Sequence, residues 1–280
     1  MKPIVFNISI IKQAWGLPIL LVLISFCFGC QKKKNIPSPI ILGHAGVALS
    51  SEREIYPDNS EASINYALKA FNADGVELDV QMTKDSVLVL YHNENITLQN
   101  GDVTCVHQLF WDEISALNTQ RNHPIIKLSD IALSVLESNK HLYLDLNFYD
   151  YCDSLSIDLG AMVFGLTTTF EDISNDHKQR LIFNARNMDL IELIPADLGL
   201  RSFETDKIDL GITYYEEGSI DIISTRVSTM NDQNQQKLKT KEIPFSLFST
   251  KSRTSIREAA GFMPDYVITD NIPATRKFYN

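Results

Sequence analysis

The chain has 280 residues, 44% of them hydrophobic, and a formal net charge of −10 at pH 7. An acidic chain is repelled by phosphate backbones and by anionic lipid, which argues against nucleic acid as a partner and against electrostatic adhesion to membranes. The length is enough for one large core, and α/β barrels of this size usually form a single domain.

The first 29 residues are typical of a targeting segment rather than of a folded domain. Two lysines precede an uncharged apolar run over residues 14–28, which is shorter than the roughly 20 residues of a spanning helix and fits a secretory signal. A glycine precedes Cys30, an arrangement that resembles a bacterial lipoprotein cleavage site. We therefore predict that residues 1–29 are a signal peptide, that Cys30 is lipidated and that residues 30–39 form a linker. An uncleaved anchor is the alternative, and both predict an exported, membrane-tethered protein in the periplasm or at the cell surface.

Two cysteines, Cys105 and Cys152, remain in the predicted mature body. Export would permit a disulfide between them. Because they show no spacing signature, the sequence favours free, buried thiols.

The most informative stretch is residues 75–93, GVELDVQMTKDSVLVLYHN. It begins as a strand in which apolar residues alternate with Glu77 and Asp79, and a period of two puts both acids on one face. The turn at residues 84–86 is too short for a parallel crossover, so the next apolar residues return as an antiparallel arm. A hairpin centred on residues 85 and 86 lays His92 beside Asp79.

The rest of the body alternates short apolar strands with helical stretches. Further strands are predicted at residues 39–43, 142–147, 181–183, 198–200, 220–223, 245–248 and 266–268. A helix is predicted to follow Asp58 and to extend to residue 71, because Asp58 with Glu61 three residues on is a capping signature. Further helices are predicted at residues 111–117 and 128–136, and around positions 190, 236 and 256. With the first arm of the hairpin the strands number eight, and their alternation with helices predicts an α/β fold, a closed (β/α)8 TIM barrel over residues 40–280.

Polar residues at the carboxyl ends of strands build the active sites of such barrels. His44 ends the first predicted strand, and Glu77 and Asp79 lie late in the second. Asp145 lies late in the third, and the hairpin returns His92 to the same rim. Two acids on one strand would by themselves indicate only a solvated face. Three carboxylates and two histidines together suit a hard cation with an acid/base beside it.

Four segments give the chain a resemblance to the glycerophosphodiester phosphodiesterase family. They are LGHAG at 42–46, YPDNS at 56–60, the stretch 75–93 and LYLDLN at 142–147. Their order matches the family's HRG, PENT, ExD-to-HD and ExK segments, and the third segment is the specific one. The resemblance implies a phosphodiesterase that hydrolyses glycerophosphodiesters, or a related lipid headgroup diester, to glycerol 3-phosphate and an alcohol.

The resemblance also implies roles for individual residues. Two histidines would serve as general acid and base, and three acids would bind one divalent cation, Ca²⁺ or Mg²⁺. These residues are His44 and His92 for proton transfer, and Glu77, Asp79 and Asp145 for the metal. Three further residues would bind the substrate: Asn59, Asn147 and Phe248. Phe248 lies near a family tryptophan position, and a core aromatic is an equal alternative for it.

Two departures from the family pattern concern cations that would face phosphate. The family arginine after the first histidine is Ala45, and the family lysine two residues past the third acid is Asn147. Alanine does not replace the bidentate fork of arginine. The sequence therefore predicts that the metal alone neutralises the phosphate strongly. A degenerate barrel that binds a phosphodiester or polyol without turnover is the alternative function, and the retained histidines and acids favour the enzyme.

Overall fold

The computed structural model describes residues 38–47, 56–93, 95–98, 100–117, 124–146 and 157–279. The strands are β1 (Ile40–His44), β2 (Gly75–Met82), β3 (Leu88–Leu90), β4 (Asn95–Thr97), β5 (Val103–Cys105), β6 (Ile126–Lys127), β7 (His141–Leu146), β8 (Leu181–Ala185), β9 (Leu200–Glu204), β10 (Ile222–Arg226), β11 (Phe245–Thr250) and β12 (Tyr266–Thr269). The helices are α1 (Glu61–Lys69), α2 (Trp111–Ser115), α3 (Leu128–Glu137), α4 (Leu159–Phe170), α5 (Asn175–Lys178), α6 (Met188–Leu193), α7 (Ile208–Glu216), α8 (Asp232–Thr240), α9 (Arg253–Phe262) and α10 (Ile272–Tyr279). No helix among the described residues is both long and apolar enough to span a membrane.

Eight strands close into a parallel barrel. Their order around the barrel is β1, β2, β7, β8, β9, β10, β11 and β12, and the ring closes because β1 pairs in parallel with both β2 and β12. The register joins Leu42 to Gly75 on one side and Ile40 to Tyr266 on the other. The predicted TIM barrel is confirmed.

The two-residue period of the strands separates the core from the site. Along β2, Val76, Leu78 and Val80 pack into the large cluster under the helices, so Glu77 and Asp79 point into the barrel. All eight residues of β2 are buried, because the helices cover one face and the barrel interior the other. The face that would be solvated on an open sheet is therefore a buried polar patch inside the barrel.

The hairpin exists, but its register differs by one residue from the predicted one. Val80 pairs with Leu90, and the amide of Tyr91 donates to the carbonyl of Asp79 at 3.0 Å. The loop has three residues because Ser86 adopts a φ of 65°, the left-handed conformation that ends a three-residue hairpin loop. A two-residue loop was the basis of the predicted register.

Ser86 occupies a position at which glycine is free of steric cost. We expect Ser86→Gly to stabilise the protein by about 0.5–1 kcal/mol, because the left-handed conformation costs a residue with a Cβ roughly 1–2 kcal/mol, partly offset by glycine's larger unfolded-state entropy. Urea unfolding measures the change. Ser134→Gly in α3 is the matched control and should destabilise by about 0.5–1 kcal/mol, since its backbone is helical. Equal effects of the two changes would contradict the strain at Ser86.

Several elements were not predicted from the sequence. The ribbon of β4 with β5, and the addition of β6 to β3, extend the hairpin side of the barrel. Helices α4 and α7 were missed because each is interrupted by glycine and β-branched residues, which weaken helical periodicity. Strand β9 begins at Leu200, where the predicted strand ends.

Two local expectations are corrected by the structure. Ser60, not Asp58, caps α1, because the Ser60 side chain accepts a hydrogen bond from the amide of Ser63 at 3.1 Å. Cys105 is disulfide-bonded, so the expected free thiol at this position is wrong. The other three cysteines of the sequence lie outside the described residues.

Candidate active site

Three carboxylates converge inside the carboxyl end of the barrel. One oxygen from each of Glu77, Asp79 and Asp145 lies within 4.8 Å of the other two. Adjacent strands cause this convergence, since Asp79 on β2 is directly opposite Asp145 on β7 in the parallel register. Oxygens this close together are able to share one ion at the 2.3–2.6 Å bond length of Ca²⁺ or the roughly 2.1 Å of Mg²⁺. The donor set therefore fits a hard cation, and the ligand role of each acid stays a prediction.

Each of these acids accepts a hydrogen bond from a different element. The donors are the amide of Ala45 to Glu77 at 3.0 Å, the Asn59 side chain to Asp79 at 2.8 Å and the Asn184 side chain to Asp145 at 2.9 Å. Neutral donors hold carboxylates in place without cancelling their charge. These hydrogen bonds fix the carboxylate oxygens in the positions that a cation would require.

Asn59 lies behind the acids, and not on the wall of the cavity. Its amide nitrogen donates to Asp79, and its oxygen accepts from the amide of Asp79 at 3.0 Å. The residue is 3% exposed and has a φ of 59°, which asparagine tolerates better than most residues. Its position is that of a residue orienting Asp79, and its predicted contact with substrate stays a prediction.

The two histidines flank the acids. The Nδ1 atom of His92 lies 3.0 Å from an Asp79 oxygen, as the sequence predicted despite the shifted register. The Nε2 atom of His44 lies 3.9 Å from a Glu77 oxygen. The ring centroids of His44 and His92 are 6.3 Å apart and meet edge to face. A pair of imidazoles at this separation is suited to serve two oxygens of one reacting group.

Asp270 holds the first histidine and was not among the predicted site residues. Its carboxylate lies 2.5 Å from the Nδ1 atom of His44, although 226 positions separate the two in the sequence. Closure of the barrel brings them together, because β12, which ends just before Asp270, is the neighbour of β1. The contact leaves the Nε2 atom of His44 directed toward the cavity.

The acids and Asp270 set the proton affinities of the histidines. Burial disfavours the charged form of His44, yet its hydrogen bond to Asp270 and the charge of Glu77 outweigh burial and raise its pKa to about 10. The hydrogen bond to Asp79 raises the pKa of His92 to about 9. Both histidines therefore carry a proton at neutral pH in the metal-free protein. Burial opposes ionisation of Asp79, but the hydrogen bond from His92 overcomes it and lowers the pKa of Asp79.

Glu77 links metal binding to pH. Burial and the charge of Asp79 raise the pKa of Glu77 well above its usual range. Since metal ligands must be deprotonated, we expect Ca²⁺ affinity to rise with pH above the ordinary glutamate pKa of about 4.3, and binding to release protons. Calorimetry in buffers of different ionisation enthalpy measures the release. Proton-free binding at every pH tested would show that Glu77 is already ionised.

A cavity of about 410 Å³ opens over this cluster. Tyr143 lies at its buried end, with its hydroxyl 3.0 Å from Ser202 and 3.3 Å from Ser246. Phe248 both lines the cavity and packs against the inner apolar cluster. Its contact with substrate stays a prediction. Asn147 and Cys30 lie outside the described residues.

The sequence profile of the glycerophosphoryl diester phosphodiesterase family matches residues 53–243. The chain belongs to this family. The glycerophosphoryl diester phosphodiesterases are phosphoric diester hydrolases, and a metal site on the three acids is typical of them.

Solved structures share the fold of this glycerophosphoryl diester phosphodiesterase family member. A phosphodiesterase from Oleispira antarctica, in complex with the product sn-glycerol-3-phosphate, has a TM-score of 0.71 at 15% identity over 86% of this chain and 96% of its own. A glycerophosphodiester phosphodiesterase from Parabacteroides distasonis has a TM-score of 0.68 at 16% identity over 86% of this chain and 98% of its own. At identities this low, the structural likeness shows a common fold alone.

Curated relatives match over shorter stretches. The uncharacterized protein YqiK of Bacillus subtilis is 33% identical over 82 residues, which are 29% of this chain and 33% of that protein. A glycerophosphocholine phosphodiesterase of Candida albicans is 28% identical over 103 residues, which are 36% of this chain and 9% of that protein. The matched segments therefore span a third or less of these relatives.

For this family member, the expectation that the metal alone neutralises the phosphate strongly stays a prediction. Ala45 is 2% exposed, but three cations from other strands line the cavity: Arg186, Arg226 and Lys251. Each ends or directly follows a barrel strand. The predicted strands end at residues 183, 223 and 248, three residues before each of these cations, so the position of the cations at strand ends was not predicted.

Proposed function

We propose that this protein is a metal-dependent phosphodiesterase that hydrolyses glycerophosphodiesters, or a related lipid headgroup diester, to glycerol 3-phosphate and an alcohol. One observation carries the proposal: His44 and His92 flank a three-carboxylate cluster within a single cavity. The family membership supports the reaction class. The glycerol 3-phosphate bound to the Oleispira antarctica phosphodiesterase, which shares the fold, supports the product.

The two histidines supply the proton transfers. Each is held at Nδ1 by a carboxylate, Asp270 for His44 and Asp79 for His92, and both rings line the cavity in which the diester would bind. One imidazole takes a proton from the attacking oxygen, and the other, as imidazolium, gives a proton to the leaving oxygen. Both histidines have a carboxylate partner, so the geometry leaves the choice of acid and base to a pH–rate profile.

The carboxylates would hold the cation beside these histidines. Glu77, Asp79 and Asp145 are the proposed ligands of one Ca²⁺ or Mg²⁺. When bound, the cation would act as a Lewis acid that neutralises phosphoryl charge. Asn59 and Asn184 orient two of the ligands, and such outer residues typically contribute about 10–100-fold to metal affinity or activity.

A direct assay tests the proposal. The purified body, residues 31–280, is incubated with Ca²⁺ or Mg²⁺ and a panel of glycerophosphodiesters that includes the choline, ethanolamine and serine esters. We expect metal-dependent release of glycerol 3-phosphate that stops on chelation. Binding of a diester without turnover of any of them would favour the degenerate barrel instead. The absence of the family arginine at Ala45 supports that alternative.

We also propose that the protein is an exported lipoprotein tethered through Cys30. The GC pair at residues 29 and 30, after an uncharged apolar run, supports this. We expect Cys30→Ala in the full chain to abolish lipid labelling, and a body beginning at residue 31 behind a cleavable secretory signal to be released from membranes, because the lipid and not the acidic barrel makes the contact. Fractionation and labelling with a fatty-acid analogue measure both. Retention of the lipid-free body in the membrane fraction would show that its own surface binds lipid.

A further inference from the structure

The wall of the cavity opposite the carboxylates carries positive charge. In the order of the closed barrel, β10 stands opposite β2 and β11 stands opposite β7. Arg226 ends β10, and Lys251 directly follows β11. These two cations therefore lie across the mouth from the strands that carry the metal-binding acids.

Arg226 and Lys251 differ from the third cation of the cavity in their pairing. Arg186 donates to Glu204 from both Nε and a terminal guanidinium nitrogen, so its charge is already balanced. Arg226 and Lys251 form no ion pair with any residue in the described ranges, and both side chains are exposed. The guanidinium of Arg226 lies 6.0 Å from the ring centroid of Phe248. An aromatic ring at this distance stabilises the cation without neutralising it.

The backbone of β11 is irregular where it meets this wall. The pairing of β11 with β12 gains one residue between Leu247 and Thr250, and Ser249 adopts a φ of 65°. A β-bulge of this kind turns the following side chains relative to a regular strand, and bulges are common beside active sites. Phe248, Ser249 and Lys251 all line the cavity as a result.

A bound diester would reach both walls. The proposed function places the scissile phosphate at the acids and histidines, so the groups attached to that phosphate extend across the mouth. We propose that Arg226 and Lys251 bind an anionic group, a carboxylate or a second phosphate, on the alcohol moiety of the substrate. This inference rests on the proposed function for its orientation. It makes diesters with an acidic alcohol moiety the preferred class, and it disfavours a purely cationic headgroup such as choline.

Two matched pairs of diesters test the inference. Glycerophosphoserine and glycerophosphoethanolamine differ by one carboxylate, and glycerophosphoglycerol differs from its terminal phosphate monoester by one phosphate. In the wild type with Ca²⁺, we expect the acidic member of at least one pair to have a kcat/KM about tenfold higher, since hydrogen bonds to charged groups are among the stronger ones. The pair that discriminates identifies the anionic group as carboxylate or phosphate.

The double variant Arg226→Gln with Lys251→Gln should remove this discrimination. We expect the ratio within the pair to fall to about one, mainly through the acidic member. Lys239→Gln with Arg257→Gln is the matched control, since both side chains are exposed on helices away from the cavity, and it should leave the ratio as in the wild type. An equal loss for both members would overturn the inference, because the two cations would then serve the scissile phosphate. No discrimination by the wild type would also overturn it.

A binding measurement separates this inference from the proposed function. In the His92→Ala background, which should suppress turnover, calorimetry compares the affinities for the two members of each pair with and without the Gln changes. Tighter binding of the acidic member that depends on Arg226 and Lys251 supports the inference even if the wild-type protein hydrolyses neither diester. Absent turnover would then count against the phosphodiesterase activity alone, and equal affinities would overturn the inference alone.

Discussion

Asp145→Asn should reduce metal-dependent turnover at least about 10²-fold, because a bound cation supplies several kcal/mol of charge stabilisation in the transition state and each 1.36 kcal/mol is a factor of ten. The change keeps the shape of the side chain but removes one of the three charges in the cluster. The new amide oxygen is still able to accept the hydrogen bond from Asn184 that Asp145 accepts at 2.9 Å. The loss therefore reports on charge rather than on a disturbed fold.

The same variant should be stabilised by Ca²⁺ much less than the wild type in a stability measurement. Without metal, Asp145→Asn should be as stable as the wild type or more so, because it relieves repulsion with Glu77 and Asp79. At a Ca²⁺ concentration 100 times the wild-type Kd, the wild type should gain about 2.7 kcal/mol of unfolding free energy, and the variant should gain much less. Asp232→Asn, an exposed acid in the first turn of α8, is the control. Equal Ca²⁺ stabilisation of the wild type and Asp145→Asn would exclude the acid as a ligand.

The acid cluster was predictable because local rules determine it. Strand period places Glu77 and Asp79 on the same face, and the parallel neighbour places Asp145 beside them. The contact of His92 with Asp79 was predicted from a hairpin that is one residue out of register. It survives because His92 lies just beyond the last paired residues, where its side chain reaches the neighbouring acid. A contact predicted just beyond the end of a strand therefore tolerates an error of one residue in the predicted register.

The parts that were missed depend on closure of the barrel. Asp270 meets His44 only because the last strand returns to the first, and no spacing in the sequence encodes that pairing. The cations Arg226 and Lys251 lie three residues beyond the ends of the strands predicted at 220–223 and 245–248, so the sequence did not place them at the rim. The three-residue hairpin loop was also not predicted, because a serine at position 86 gives no signal for the positive φ that this loop requires.

The two histidines should be as important as the metal site, with a different signature. His44→Ala and His92→Ala should each lower turnover at least about 100-fold, since general acid–base help contributes roughly 10²–10⁴ in rate. Neither is a proposed ligand, so Ca²⁺ should still stabilise both variants. Because His44→Ala leaves the buried Asp270 without its partner, His44→Gln, which keeps an N–H donor, is the companion variant.

Asp270 should act through His44, and its effect should be visible in the pH–rate profile. Asp270→Asn removes the negative partner that raises the pKa of His44, so the limb of the profile that His44 controls should move to lower pH. Asp270→Glu should restore part of the turnover rate and move the limb part of the way back to its wild-type pH, because it returns the charge. A carboxylate that only supported the rim would change stability and leave the limb in place. A limb that stays fixed in Asp270→Asn while turnover falls would therefore remove Asp270 from the proton-transfer machinery and leave it a structural residue of the barrel rim.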